Sequence, residues 1–327
     1  MNRIIKENRI QIIDILRGFA LSIIIFMNFE SIMKIPFNEA GRDLYHVMNV
    51  LFKGKGYTLF SFLFGYGTFI FMENAYKKGL SPALCFFKRI VFLFVVGFLH
   101  RYLQAGEALT YYAVFGLFLL PSYKLDSKYI FCIATLFFVV STIAAAQIFG
   151  SLGMIFCGFG ISKMNFFSIY MNKKYSKQYL LILALFVVLS ILGYFWIYKY
   201  IYIYHINYLS KAMFIGGILQ SIAYTLLVIL LYLHSSIFKR LLYEFAYLGR
   251  MSLTNYLMQT IMLFVLAYFY PGTTYLQGIH ASIAVLFLQY VYSKFYLIKI
   301  DSVGPFEKIW RKFKYYDFKK LIGKTSF

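Results

Sequence analysis

Asp14, Arg17 and Asn28 stand in a stretch, IDILRGFALSIIIFMN, that is otherwise nearly all apolar. On a helix Asp14 and Arg17 are three positions apart and can pair on one face. Arg17 and Asn28 are eleven apart, almost three full turns, so Asn28 shares that face. The three make a polar stripe about 20 Å long at a rise of 1.5 Å per residue. A guanidinium oriented by a carboxylate suits a phosphate or a carbonyl oxygen. The plainer alternative is a buried pair that fixes helix packing.

A second group lies in KRIVFLFVVGFLHRYLQAGEALTYYAVFG. The chain turns back within a few residues, which should bring His100 near Glu107, with Tyr111 and Tyr112 one turn on. A histidine beside a carboxylate is the minimum for an oriented general base. The alternative is a pair of interfacial residues reaching water. Further on, LGRMSLTNYLMQT sets Ser252, Asn255 and Gln259 on one helical face. They either line a polar cavity or hydrogen-bond neighbouring helices. Gly65 and Gly67 bracket Tyr66 and suit close helix packing. Cys85, Cys132 and Cys157 have no metal-ligand spacing and fall in or beside apolar runs. No disulfide and no metal centre are expected.

The elements that must position these groups are membrane helices. Of the 327 residues 61% are hydrophobic and 14% charged, against about 25% charged in a soluble domain. Apolar runs recur along the whole chain. The expected fold is all-α, a polytopic transmembrane bundle of about ten helices. They fall near 12–33, 55–73, 86–103, 108–121, 129–149, 151–167, 179–200, 212–233, 250–269 and 279–297. The fourth and sixth are short. A cleaved leader fits badly, because the first run extends to Met33 and no small-residue cleavage site follows. The net charge of +21 does not point to nucleic acid, because the basic residues lie in short connections and no nucleic-acid-binding motif occurs. Of the 33 Lys and Arg residues, 25 fall in segments that are cytoplasmic if the N-terminus is inside, and 7 in outer ones. That bias orients the bundle N-in and C-in. Residues 1–297 then form the helical domain and 298–327 a basic amphipathic cytoplasmic tail. In GPFEKIWRKFKYYDFKKLIGK, Phe306, Ile309, Trp310 and Phe313 share a face. This suits a helix on anionic inner-leaflet lipids; a partner-binding helix is the alternative.

In order along the chain, IDILRGFALSIIIFMN, FSFLFGYG, KR…GFLH, GEALTYYAVFG, GRMSLTNYLMQT and GPFEKIWR resemble the landmarks of the bacterial YeiB-like inner-membrane proteins, the family of domain of unknown function 418. The resemblance implies a multi-pass bacterial plasma-membrane protein. One departure is Glu107, where the family usually has Asp. The first helix is similar to that of membrane acyltransferases of the heparan-α-glucosaminide N-acetyltransferase group, which use cytosolic acetyl-CoA. The more distant acyltransferase-3 enzymes carry a histidine eleven residues after their helix-1 arginine. Here that position is Asn28, so any histidine chemistry must come from another helix, with His100 the candidate in the third.

Two readings follow. In one, the chain is an acyltransferase with acyl-CoA as co-substrate and no permanently bound cofactor. Arg17, held by Asp14, binds the donor; His100 is the general base and Glu107 orients it. Asn28 or Asn255 donates to the oxyanion, and Tyr112 and Gln259 line the site. In the other, the chain is a transporter or a non-catalytic transport-associated membrane protein. Against an autonomous transporter, no inverted repeat and no matched pair of broken helices are visible.

Overall fold

The computed structural model describes residues 10–36, 41–144, 147–204 and 209–315. Residues 1–9 and 316–327, which carry part of the tail and of the basic charge, lie outside the described residues. Every regular element among the described residues is helical. In order they are α1 Gln11–Ile32, α2 Arg42–Phe52, α3 Lys55–Tyr76, α4 Pro82–His100, α5 Leu109–Ser122, α6 Ser127–Ala144 and α7 Gln147–Lys163. There follow α8 Phe166–Tyr170, α9 Ser176–Tyr204, α10 Leu209–His234, α11 Ser236–Arg250, α12 Ser252–Phe269, α13 Tyr275–Phe295 and α14 Pro305–Tyr315.

A helix stands at each of the ten apolar runs, because backbone polar groups in lipid must be satisfied within the segment. Seven of them (α1, α4, α6, α9, α10, α12 and α13) contain stretches long and apolar enough to cross a membrane, whereas α5 and α7 are shorter. Periodic apolarity alone did not reveal α2 and α11. Both are strongly amphipathic, with little net apolarity. The terms inner and outer below follow the Lys/Arg bias.

The interior helix is α1. Its apolar window is 72% buried, against 11% for that of α9. It packs on α3, α11, α12, α13 and α10. Its apolar side chains feed three clusters: Leu21 and Ile24 toward α3–α5 and α12, Ile15 and Leu16 toward α10 and α11, and Ile25 and Phe29 toward α12 and α13. Backbone contact between α1 and α11 fixes its position. A Cβ on Gly18 would lie 1.9 Å from the Phe245 carbonyl oxygen, and one on Gly249 would lie 1.9 Å from that of Asp14. Small residues permit such approach where apolar lipid gives helices no hydrophobic reason to associate. Gly65 plays the same part toward α7, with the Ile155 carbonyl oxygen 1.9 Å from its missing Cβ.

The tail helix α14 docks onto the protein. The Glu307 carboxylate accepts the backbone N–H groups of Leu253 (2.8 Å) and Thr254 (3.1 Å) and the Thr254 hydroxyl (2.6 Å). It therefore serves the open N-terminus of α12 from another helix. Lys308 donates to Asp301 at 2.6 Å, and this bond holds the Asp301 carboxyl below the ordinary carboxylate range. A carboxyl lowered in the folded state contributes its stability above its unfolded pKa and loses it as pH falls through the folded value. The Lys308–Asp301 bond therefore contributes at neutral pH and its contribution is lost in acid. Phe306 and Trp310 pack on the α3–α5 cluster, while Lys308, Ile309, Arg311 and Lys312 are exposed. The Phe313 side chain lies outside the described residues. Glu307→Ala should cost about 1–2 kcal/mol of docking, read as tryptic cleavage at Lys308, Arg311 and Lys312 well before the bundle is cut. Cleavage at the parent rate would contradict the docking role.

Candidate functional site

His100 ends α4, and the 101–108 connection returns the chain so that Glu107 comes beside it. The His100 Nδ1 lies 3.7 Å from Glu107 Oε1, with both side chains buried. Glu107 is held there by the helix that follows. Its carboxylate accepts the backbone N–H groups of Leu109 and Thr110 and the Thr110 hydroxyl, so it satisfies the first donors of α5. Gly97 makes room for this, since a Cβ there would lie 2.6 Å from the Thr110 nitrogen and 3.0 Å from Glu107 Oε2. The imidazole rests against the Tyr256 ring, with centroids 5.2 Å apart. Neither of its ring nitrogens has a hydrogen-bond partner. Buried polar atoms are almost always paired. The two ring nitrogens of His100 are exceptions to that rule.

Three tyrosines close the space beside it. The Tyr57 hydroxyl, from α3, donates to Asn28 Oδ1 on α1. The Tyr112 hydroxyl lies 3.0 Å from Ser61 Oγ and donates to the Tyr57 carbonyl at 3.3 Å. The Tyr256 hydroxyl accepts the Ala108 N–H at 3.4 Å, so its own proton remains to be donated. Nearby, Thr260 donates to Gln104 Oε1 at 2.9 Å. Ile24, Tyr57, Phe60, Leu109, Tyr112 and Tyr256 line a cavity with room for about one water.

The structure thus brings together His100, Glu107, Tyr112 and Asn28, the last through Tyr57. It does not bring Asp14 and Arg17 to the same place. They pair with each other at 3.5 Å near the inner end of α1, eleven residues and about 16 Å from Asn28. The Arg17 guanidinium lies against α3, where a Cβ on Gly67 would be 2.4 Å from Nη2. Gly65 and Gly67 of α3 therefore do different work: Gly65 admits a helix and Gly67 admits a guanidinium. Asn255 is taken up elsewhere. It donates to the Leu248 carbonyl at 3.1 Å and to Ser293 Oγ at 2.9 Å, and its own carbonyl accepts from Gln289. Gln259 donates to the Leu21 carbonyl at 3.4 Å. These two join α12 to its neighbours.

One position over on α12, Tyr256 lines the cavity and Thr260 bonds Gln104. Sequence reasoning passed over both, along with Tyr57 and Gln104. Tyrosine is so frequent here, 31 residues, that no single one stood out. The i, i+4 spacing of Tyr256 and Thr260 was the signal that remained.

A bundle of apolar helices around buried polar side chains defines a polytopic helical membrane protein. Within that class the chain belongs to the family described as protein of unknown function (DUF418), whose profile matches residues 161–317. It is 31% identical, over 96% of both chains, to the "Uncharacterized 39.9 kDa protein in amylase 3'region" of Bacillus acidopullulyticus. It is 24% identical, over 98% of both, to the "Uncharacterized protein YxaH" of Bacillus subtilis (strain 168). No solved structure matches the chain.

Proposed function

We propose that the protein is an acyltransferase of the bacterial plasma membrane, moving an acyl group from cytosolic acyl-CoA to a hydroxyl or amine acceptor. The observation that carries this reading is His100, with both ring nitrogens unfilled, backed by Glu107 and set against Tyr256, whose side chain also lines a small cavity. His100 takes the proton of the acceptor as its oxygen or nitrogen bonds to the acyl carbon. Glu107 stabilises the imidazolium that forms. The C–S bond breaks and the proton passes to the departing thiolate, giving free coenzyme A. The Tyr256 hydroxyl, fixed through Ala108, supplies the hydrogen bond to the developing oxyanion. Arg17 holds donor phosphate at the inner end, and the acyl arm reaches outward along the α1 stripe. The cavity must widen to admit it, since it has room for about one water. The exposed Lys308, Arg311 and Lys312 of α14 meet anionic inner-leaflet lipid.

The test uses purified full-length protein with radiolabelled acetyl-CoA and longer acyl-CoAs, following thiol release and label transfer to lipid, sugar and amine acceptors. Thiol release above the uncatalysed rate is the expected result. If no acyl-CoA is turned over and proteoliposomes instead accumulate an unmodified solute, the protein is a transporter and the reading is lost. Glu107→Gln removes the negative charge beside His100 and keeps only one of the two oxygens that cap α5. It should lower turnover about tenfold or more and cost about 1–3 kcal/mol of stability for the backbone N–H left facing the amide. Equal activity would remove Glu107 from the mechanism.

A further inference from the structure

The stretches at α9 and α10 that are long and apolar enough to cross a membrane run over Lys173–Gly193 and Gly216–His234. The start of the first meets the end of the second, because His234 Nε2 lies 2.6 Å from Ser176 Oγ. Both ends therefore stand at one membrane boundary, fixed by apolar length and not by charge. Helix α11 starts directly after it. The Ser235 hydroxyl accepts the Phe238 N–H at 3.2 Å and caps the first turn.

That turn carries two kinds of exposed side chain. Ile237, Phe238 and Leu241 are 70%, 46% and 56% exposed, and positions 237, 238 and 241 fall on one side of a helix. Lys239 and Arg240 are exposed beside them. The later turns of α11 are spent on the protein, with Leu242, Leu248 and Gly249 buried. Across the His234–Ser176 contact, Lys173, Lys174 and Lys177 are exposed as well. The first two are set on an ordered turn, where Asn172 Oδ1 accepts the Lys174 N–H at 3.0 Å. Five cations thus border one apolar face. No Asp or Glu occurs from Ser127 to Tyr243. The next carboxylate, Glu244, is held by Lys294 at 2.9 Å and by Tyr290 at 2.8 Å.

A partner for this surface must bring negative charge and apolar matter together, at the level of the membrane boundary. Water hydrates the cations and leaves the apolar face uncovered. A neutral lipid supplies acyl chains without net charge. An acidic peptide supplies charge and leaves Ile237, Phe238 and Leu241 bare. An anionic phospholipid supplies both in one molecule. We infer that the first turn of α11, with Lys173, Lys174 and Lys177, forms a binding surface for anionic phospholipid, its apolar face entering the acyl region. The surface is separate from α14, which packs on α4 and α12. It does not depend on the acyl-transfer reading.

The test places a reporter on the apolar face. With Cys85, Cys132 and Cys157 replaced by serine, Leu241→Cys takes a fluorophore. Full-length protein is placed in nanodiscs, and quenching by phosphatidylglycerol with brominated acyl chains is compared with quenching by brominated phosphatidylcholine at the same fraction. Phosphatidylglycerol should quench more. The excess should fall in the variant Lys173→Gln, Lys174→Gln, Lys177→Gln, and at high salt. The preference should weaken about fivefold for each cation removed. Lys312→Gln, on α14, should leave the ratio at position 241 unchanged. If the protein without its own cysteines does not fold, the unlabelled chain answers by mass spectrometry of the lipids it retains from an equimolar mixture, parent against the same triple variant. Equal quenching by the two lipids overturns the proposal, as does equal retention by parent and variant. A label reached by neither lipid also overturns it, and assigns the face to water or to an acidic protein.

Discussion

Replacing His100 by alanine is expected to lower acyl transfer by about 10²–10⁴-fold, the usual range for loss of a general base. The protein should still fold. His100 has no hydrogen bond to lose, and its contacts are the Tyr256 ring and the Glu107 carboxylate. Glu107 keeps the α5 backbone donors and the Thr110 hydroxyl after the substitution. The cost is the packing of one ring, about 2–5 kcal/mol by comparison with other large-to-small changes. The informative measurement is the pair of values: thiol release from acyl-CoA and melting temperature in the same detergent. Activity lost with most of the melting temperature kept identifies chemistry. Unchanged activity in a folded variant removes His100 from the mechanism, and acyl transfer by this site with it.

The second large effect concerns assembly. Gly249→Val should prevent α11 from seating on α1. Its Cβ would lie 1.9 Å from the Asp14 carbonyl oxygen and 2.7 Å from the Gly18 nitrogen. Both are backbone atoms of the most enclosed helix, so no side chain can swing away. Overpacking of this kind costs about 1–3 kcal/mol or more. The loss spreads because Leu16 and Ile12 share a cluster with Leu242 of α11. The Asp14 carbonyl belongs to the residue that pairs with Arg17, so that ion pair should be disturbed as well. Gly193→Ala is the control: nothing lies within 4 Å of a Cβ there, and alanine is the better helix former by about 1 kcal/mol. The pair is compared by size-exclusion profile and melting temperature. A Gly249→Val protein as stable as Gly193→Ala would show that the α1–α11 contact is not required.

The sequence by itself determined the apolar elements, though not the amphipathic α2 and α11. Ten apolar runs became helices because lipid leaves the backbone no other partner, and their ends fall within a few residues of the runs. It also determined that Asp14, Arg17 and Asn28 share a face of α1, because that follows from helical geometry alone, and that His100 and Glu107 meet, because a short connection leaves them little choice. It fell short wherever a group's partner lay far along the chain. Asn255 and Gln259 have the same side-chain chemistry as a cavity wall, yet the packing of α12 spends them on Ser293, Gln289 and Leu21. The neighbouring Tyr256 and Thr260 face His100 and Gln104 instead. A rotation of one position about the α12 axis makes that difference, and the sequence of α12 does not contain it. The two ends of the α1 stripe likewise share a face but serve separate places, Arg17 against Gly67 within and Asn28 against Tyr57 without. Only the docking of α3 on α1 decided that. Helical periodicity fixes which residues point the same way, and tertiary packing fixes what they point at.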